Sequence, residues 1–137
     1  MSNENTPQQS SIDHVHLKTA ELEKSIQFYE SLGAKLEARY RFQGGETAAL
    51  LLGNTRINIS DGRGDGEPVL AHIGIAVPDL DAAYAGVPTA GGKNLRGPKD
   101  WEPDEIPMPT DKLPLRGTFA FVEGPDGEFI ELLSPRA

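Results

Sequence analysis

Three histidines, one carboxylate and one amide stand out as residues whose types and spacing can do chemistry. His14 and His16 are two apart in a segment that alternates apolar and polar positions, as is His72 in Ala71-His72-Ile73-Gly74-Ile75. Asn58 and Glu131 hold the corresponding place in two further alternating segments, Arg56-Ile57-Asn58-Ile59-Ser60 and Phe129-Ile130-Glu131-Leu132-Leu133. Residues two apart on a strand share a face. The apolar set is then Val15, Leu17, Ile57, Ile59, Ile73, Ile75, Val77, Ile130 and Leu132, and the opposite face carries His14, His16, Arg56, Asn58, Ser60, His72, Gly74, Phe129, Glu131 and Leu133. A polar face on an antiparallel sheet can simply be its solvated side. Such faces usually carry Lys, Glu, Thr and Arg, however, whereas His14, Asn58, His72 and Glu131 are metal-ligand types, one per strand.

The elements that must position these residues repeat. Ile12 to Lys18 reads as a strand, Thr19 as a helix N-cap, and Ala20 to Leu32 as a helix striped by Leu22, Ile26, Phe28 and Tyr29 and stopped at Gly33. Strands follow at Lys35 to Phe42, Glu46 to Leu52 and Thr55 to Ser60, with turns at Gly44-Gly45 and Gly53-Asn54. After a Gly- and Asp-rich connector, Leu70 to Val77 begins the same order again, with a short helix from Asp79 to about Gly86 that Pro88, Gly91 and Gly92 cut off near Val87. An offset of 58 residues carries His14 onto His72, Leu22 onto Leu80 and Gly33 onto Gly91, while the closing strands match at an offset of 73. The second module is therefore longer by about 15 residues, placed in Gly97 to Gly117. Pro98, Pro103, Pro107, Pro109 and Pro114 exclude regular helix or a central strand there. Trp101, Ile106, Met108 and Arg116 on that insertion suit a lid over a cleft.

These features bound the class. The 137 residues suit one domain, spanning 12–137, with module one at about 12–60, module two at about 70–135 and the insertion at about 97–117; the polar stretch 1–11 reads as a disordered tail. Cysteine is absent, which excludes disulfides, zinc fingers, iron–sulfur centres and thiol nucleophiles and leaves His, carboxylate and amide oxygen as ligands. A net charge of −8 argues against nucleic acid and anionic membrane as partners. Neither a membrane span nor a signal peptide is visible, so a cytoplasmic location is expected.

The chain resembles the vicinal oxygen chelate superfamily of glyoxalases, bleomycin resistance proteins and extradiol dioxygenases. The resemblance rests on Asp13-His14-Val15 with Glu21 to Tyr29, on Ala71 to Leu80, and on Phe121-Val122-Glu123-Gly124-Pro125-Asp126-Gly127 with Phe129 to Leu133. It implies an α+β fold of two tandem βαβββ modules whose curved mixed sheets surround a shared metal-binding cleft, and a homodimer acting on a small-molecule substrate. Carried over by position, it implies His14, His72 and Glu131 as metal ligands, with Asn58 where glyoxalases commonly place a glutamate. Two histidines and a carboxylate with open positions favour Fe(II), with Mn, Ni, Co or Zn as alternatives, and dioxygenase chemistry on a substrate chelated through adjacent oxygens. Glu131 and His16 are the candidate catalytic groups, and Asn58, Arg56, Tyr40, Trp101 and Arg116 the candidate substrate contacts. The alternatives are a glyoxalase-like lyase, isomerase or epimerase working by metal-assisted enolisation, and a metal-free binding protein of the bleomycin-resistance kind.

Overall fold

The structure is a computed structural model that describes residues 9–110 and 114–136, with the side chain of Arg136 undescribed. Most of the polar lead-in 1–11, and Lys112, therefore lie outside the described residues. The elements run β1 (Ser11–Lys18), α1 (Leu22–Ser31), β2 (Lys35–Phe42), β3 (Gly45–Leu52), β4 (Thr55–Ser60), β5 (Leu70–Ala76), α2 (Leu80–Gly86), β6 (Lys93–Trp101), β7 (Glu105–Met108), β8 (Arg116–Glu123) and β9 (Phe129–Arg136). The βαβββ order appears twice, with β7 interposed in the second copy, and the class is α+β as the resemblance implied. The chain divides into two compact units, one of His14–Ala71 joined by the insertion from Pro103 onward, the other of His72–Glu102 and the chain from Pro114 onward with the start of β1.

In the first-module unit the strand order is β1-β4-β3-β2-β7. β1 and β4 pair in parallel, and the remaining neighbours are antiparallel. The β2–β3 hairpin closes through Gln43 and Gly44, both at positive φ, because Phe42 pairs with Gly45 and a two-residue turn that matches strand twist needs left-handed backbone. Leu22, Ile26, Ala34, Ala48, Leu50 and Ile59 form the core, with Leu17, Tyr29, Leu36 and Ile57 packed against it. Tyr29 joins this core as its place in the helix stripe implied, while Phe28 does not: it is 57% exposed and meets Tyr29 edge-on. α1 starts two residues later than the sequence suggests, with Glu21 at the N-cap position. Thr19 instead accepts a hydrogen bond from the Glu21 backbone N–H and shares another with the Ser25 hydroxyl. Arg39 on β2 clips helix to sheet, donating to Glu23 of α1 at 2.5 Å and to Glu46 of β3 at 2.7 Å; the Glu23 hydrogen bond, seconded by Glu46, raises its pKa above the usual guanidinium value.

In the second-module unit the order is β6-β8-β9-β5, again with one parallel pair, β5 with β9. Val77, Leu80, Ala120, Val122 and Leu132 form its core under α2. That helix is short, as expected; Asp79 caps it by accepting from the Ala82 N–H, and Val87 ends it.

The insertion departs from expectation. It holds two strands, β6 through Pro98 and β7 through Pro107, each at an outer position of its own unit. A proline can occupy an edge strand because its missing N–H then costs no ladder bond, so the prolines exclude central strands and not strands altogether. β7 lies along β2, fixed by an Arg41–Glu105 ion pair of 2.7 Å, by the Asp104 N–H on the Arg41 carbonyl, and by the Gln43 N–H on the Asp104 carboxylate. The segment read as a lid is thus, through Glu105–Met108, an edge strand of the first-module sheet.

Leu50 is fully buried on β3 and Leu52, two residues on, is 39% exposed, so the same substitution separates their roles. Leu50→Ala is expected to lower the unfolding free energy by about 2–5 kcal/mol and Leu52→Ala by less than about 1 kcal/mol in urea denaturation. Equal losses at the two positions would contradict the core described.

Candidate functional site

The β1–β4 register sets His14 beside Arg56, His16 beside Asn58 and Lys18 beside Ser60. Antiparallel pairing extends these rows across the sheet: Asn58 faces Ala49, which faces Ala38, and Ser60 faces Thr47, which faces Tyr40. Five sequence-predicted residues, His14, His16, Tyr40, Arg56 and Asn58, therefore share the face opposite the helix within one unit. All but His16 are buried. The His14 and His16 rings lie edge-on with centroids 6.1 Å apart, and His16 Nε2 sits 2.9 Å from the Ser60 hydroxyl, so one ring nitrogen of His16 has a fixed partner. Asn58 is only 4% exposed, and its Oδ1 accepts no hydrogen bond among the described residues. A buried carbonyl oxygen left without a donor costs free energy, and its neighbours across β3 and β2 are alanines that offer none.

In the second-module unit, β5 and β9 place His72 Nε2 3.5 Å from Glu131 Oε1, with both side chains largely buried. Burying a carboxylate is costly unless a cation or donor faces it, and the His72 imidazole faces this one. Aromatic rings close around the pair. Phe121, directly across from Glu131 on β8, meets His72 edge-on at 5.4 Å; Phe129 does so at 6.0 Å; and Phe121 and Phe129 stack at 4.7 Å and 11°. Phe119 continues the row, 5.5 Å from Phe121. Sequence reasoning gave Phe119 and Phe121 no role, although Phe119-Ala120-Phe121-Val122 is a clean alternation that, paired with the Glu131 strand, points both rings to the Glu131 face.

Trp101 shares the face of Phe121 and Glu131 but lies farther along the strands, and Arg116 does not share it. Trp101 ends β6 opposite Gly117, and Arg116 begins β8 five residues before Phe121, roughly 17 Å along an extended strand. An odd separation on a strand also puts Arg116 on the face opposite that of Phe121 and Glu131.

Two βαβββ modules, each with a helix on one face of its sheet and His, Asn or Glu on the other, define the class, and comparison with known proteins gives the family. A family model described as the Glyoxalase/Bleomycin resistance protein/Dioxygenase superfamily matches residues 11–132, and the chain belongs to that superfamily. It is 30% identical over 129 residues to the uncharacterized protein YwbC of Bacillus subtilis, covering 88% of this chain and 94% of the relative. Among solved structures, its fold is similar to that of the hypothetical protein BH1468 from Bacillus halodurans (TM-score 0.71, 18% identity, 93% of this chain and 96% of the other). It is also similar to a mutant of 4-hydroxymandelate synthase from Streptomyces coelicolor (TM-score 0.71, 15% identity, 93% of this chain and 39% of the other). None of the described helices is long and apolar enough to cross a membrane.

The orphaned Asn58 oxygen yields a stability test. Replacing a buried, unsatisfied amide by an apolar group of the same shape removes a desolvation cost of about 1–3 kcal/mol. Asn58→Leu is accordingly expected to leave the melting temperature unchanged or to raise it, measured by calorimetry. A marked drop would mean that Oδ1 is satisfied in solution.

Proposed function

We propose that the protein is a divalent-metal-dependent enzyme in which His14, His72 and Glu131 hold the ion, Fe(II) by preference, and that it performs dioxygenase-type chemistry on a small molecule presenting two adjacent oxygens. The observation that carries this reading is the buried His72–Glu131 pair at 3.5 Å: an imidazole nitrogen and a carboxylate oxygen kept together within an aromatic surround suit a cation as a third partner. His14, almost fully buried at the equivalent place in the first module, supplies the second imidazole. The donor set fits such an ion, since two imidazoles and one carboxylate leave coordination positions open. A bound ferrous ion would act as a Lewis acid on the substrate's oxygens and supply the redox chemistry.

The chain's own residues do the rest. Asn58, where related enzymes commonly place a glutamate, is neutral; it leaves the ligand count at three and offers Oδ1 to a substrate hydroxyl. His16 moves a proton at the reacting oxygen, with the Ser60 hydroxyl as its fixed partner. Arg56 supplies positive charge for an anionic oxygen, and Tyr40 a phenol on the same face. We further read the protein as a cytoplasmic homodimer, with light scattering as the check on its oligomeric state.

Metal analysis of purified protein, followed by oxygen uptake with a panel of catechols after Fe(II) reconstitution, tests the reading. Bound iron with oxygen consumption supports it. Turnover of a hemithioacetal or a 2-carbonyl acid without oxygen, on Ni, Zn, Co or Mn, would replace it with the lyase or isomerase alternative, and a protein that retains no metal would replace it with a binding protein. Glu131→Gln is expected to weaken metal binding by at least about 100-fold, while Asn58→Ala leaves occupancy unchanged. Full occupancy in Glu131→Gln would remove the ligand assignment.

A further inference from the structure

A second concavity lies within the first-module unit, on the other face of its sheet. It has a volume of about 330 Å³, at the small end of the range for ligand sites. Leu17, Ile59, Tyr29 and Val69 give it an apolar body, and the charged residues Lys18, Lys24, Arg63 and Glu21 also line it. Leu17 and Ile59 alternate with His16 and Asn58 on β1 and β4, so the sheet itself separates this cavity from the polar face. It is therefore no extension of the site proposed above.

The charges around it are not equivalent. Lys18 pairs with Glu67 at 3.4 Å and Lys24 with Glu21 at 3.2 Å, so each has its own carboxylate. Arg63 has none. Its Nε donates to the Glu67 backbone carbonyl at 2.7 Å, its backbone N–H donates to the Thr19 carbonyl at 3.1 Å, and among the described residues its Nη atoms make no hydrogen bond or ion pair. The loop that carries Arg63 is itself clipped. The Glu67 carboxylate accepts from the Gly64 N–H at 2.7 Å and from Lys18, and these contacts hold its pKa below the usual carboxylate value. A guanidinium fixed through Nε and through its own backbone has already lost much of the freedom that binding would otherwise cost, and its remaining edge matches a carboxylate. In a chain of net charge −8, an immobilised arginine whose Nη edge makes no ion pair among the described residues, set beside an apolar cavity, is a specific arrangement.

We propose that this cavity binds a small monocarboxylate with a compact apolar body, its carboxylate on Arg63 and its apolar part against Leu17, Ile59, Tyr29 and Val69. The apolar body distinguishes such a ligand from inorganic anions, and the single charge matches the one guanidinium without a carboxylate partner.

Benzoate and hexanoate serve as probes, followed by amide shifts of Thr19, Ser25 and Arg63 in NMR titrations of the full chain. Both are expected to bind saturably, while inorganic phosphate and benzyl alcohol, which lack one half of the chemistry, do not. Arg63→Gln should weaken binding by about tenfold or more. Val69→Glu, at a half-exposed lining position, should do the same with the Arg63 loop intact, so loss of binding does not depend on one variant's folding. Binding should persist with a metal chelator present and in Glu131→Gln, which separates this site from the metal reading. Absence of saturable shifts, equal affinity in Arg63→Gln and Val69→Glu, or abolition of binding by chelator would each overturn the proposal.

Discussion

The candidate site residues His14, His16, Arg56 and Asn58 all depend on the register of one parallel strand pair. β1 and β4 align so that His14 meets Arg56 and His16 meets Asn58, and the period of two then sends Leu17, Ile57 and Ile59 to the helix side. A slip of one residue would exchange the faces, setting imidazole and guanidinium under α1 and moving the aliphatic row off the helix side. The register is held by that penalty and by its ends: the Thr19 N–H reaches the Ser60 carbonyl and the Lys18 N–H the Val69 carbonyl, each at 2.8 Å. The second-module unit uses the same device with different side chains, pairing β5 with β9 so that Ile75 and Leu132 go to the core while His72 and Glu131 share the other face.

Much of this was legible in the sequence, and the reason is physical. Alternation in His14-Val15-His16-Leu17 and in Arg56 to Ser60 leaves only one way to bury the β-branched residues, so the polar set follows. The repeat at 58 residues doubled the signal. The stop of α2 near Val87 was equally local, set by Pro88 and the glycines around it.

What escaped was decided by partners distant in sequence. The insertion's prolines carry a local message, against helix and central strand, but nothing in Glu105–Met108 announces that β2 is its partner; that follows from the Arg41–Glu105 pair and the backbone bonds of Asp104 and Gln43, across about 61 to 64 residues. Phe28 illustrates the converse. Its helical spacing admits it to the apolar stripe, yet it stays exposed while Tyr29, its neighbour, packs on the core. The Arg63 cavity was invisible for the same reason, being assembled from β1, α1, β4 and the loop after it.

The borrowed strand β7 has a consequence for how the protein is made. The first-module sheet draws its outermost strand from residues that follow β6, so a ribosome that has delivered β1 through β4 has delivered every part of that sheet except its border. Until Glu105–Met108 emerge, β2 presents an unpaired edge of the kind that recruits foreign strands. Synthesis at about 5–20 residues per second leaves that edge bare for several seconds, the time needed to translate the second module's first strand, helix and β6. Arg41, whose carboxylate partner Glu105 arrives only with β7, places positive charge on the waiting edge, a feature that discourages strand addition before the native partner arrives.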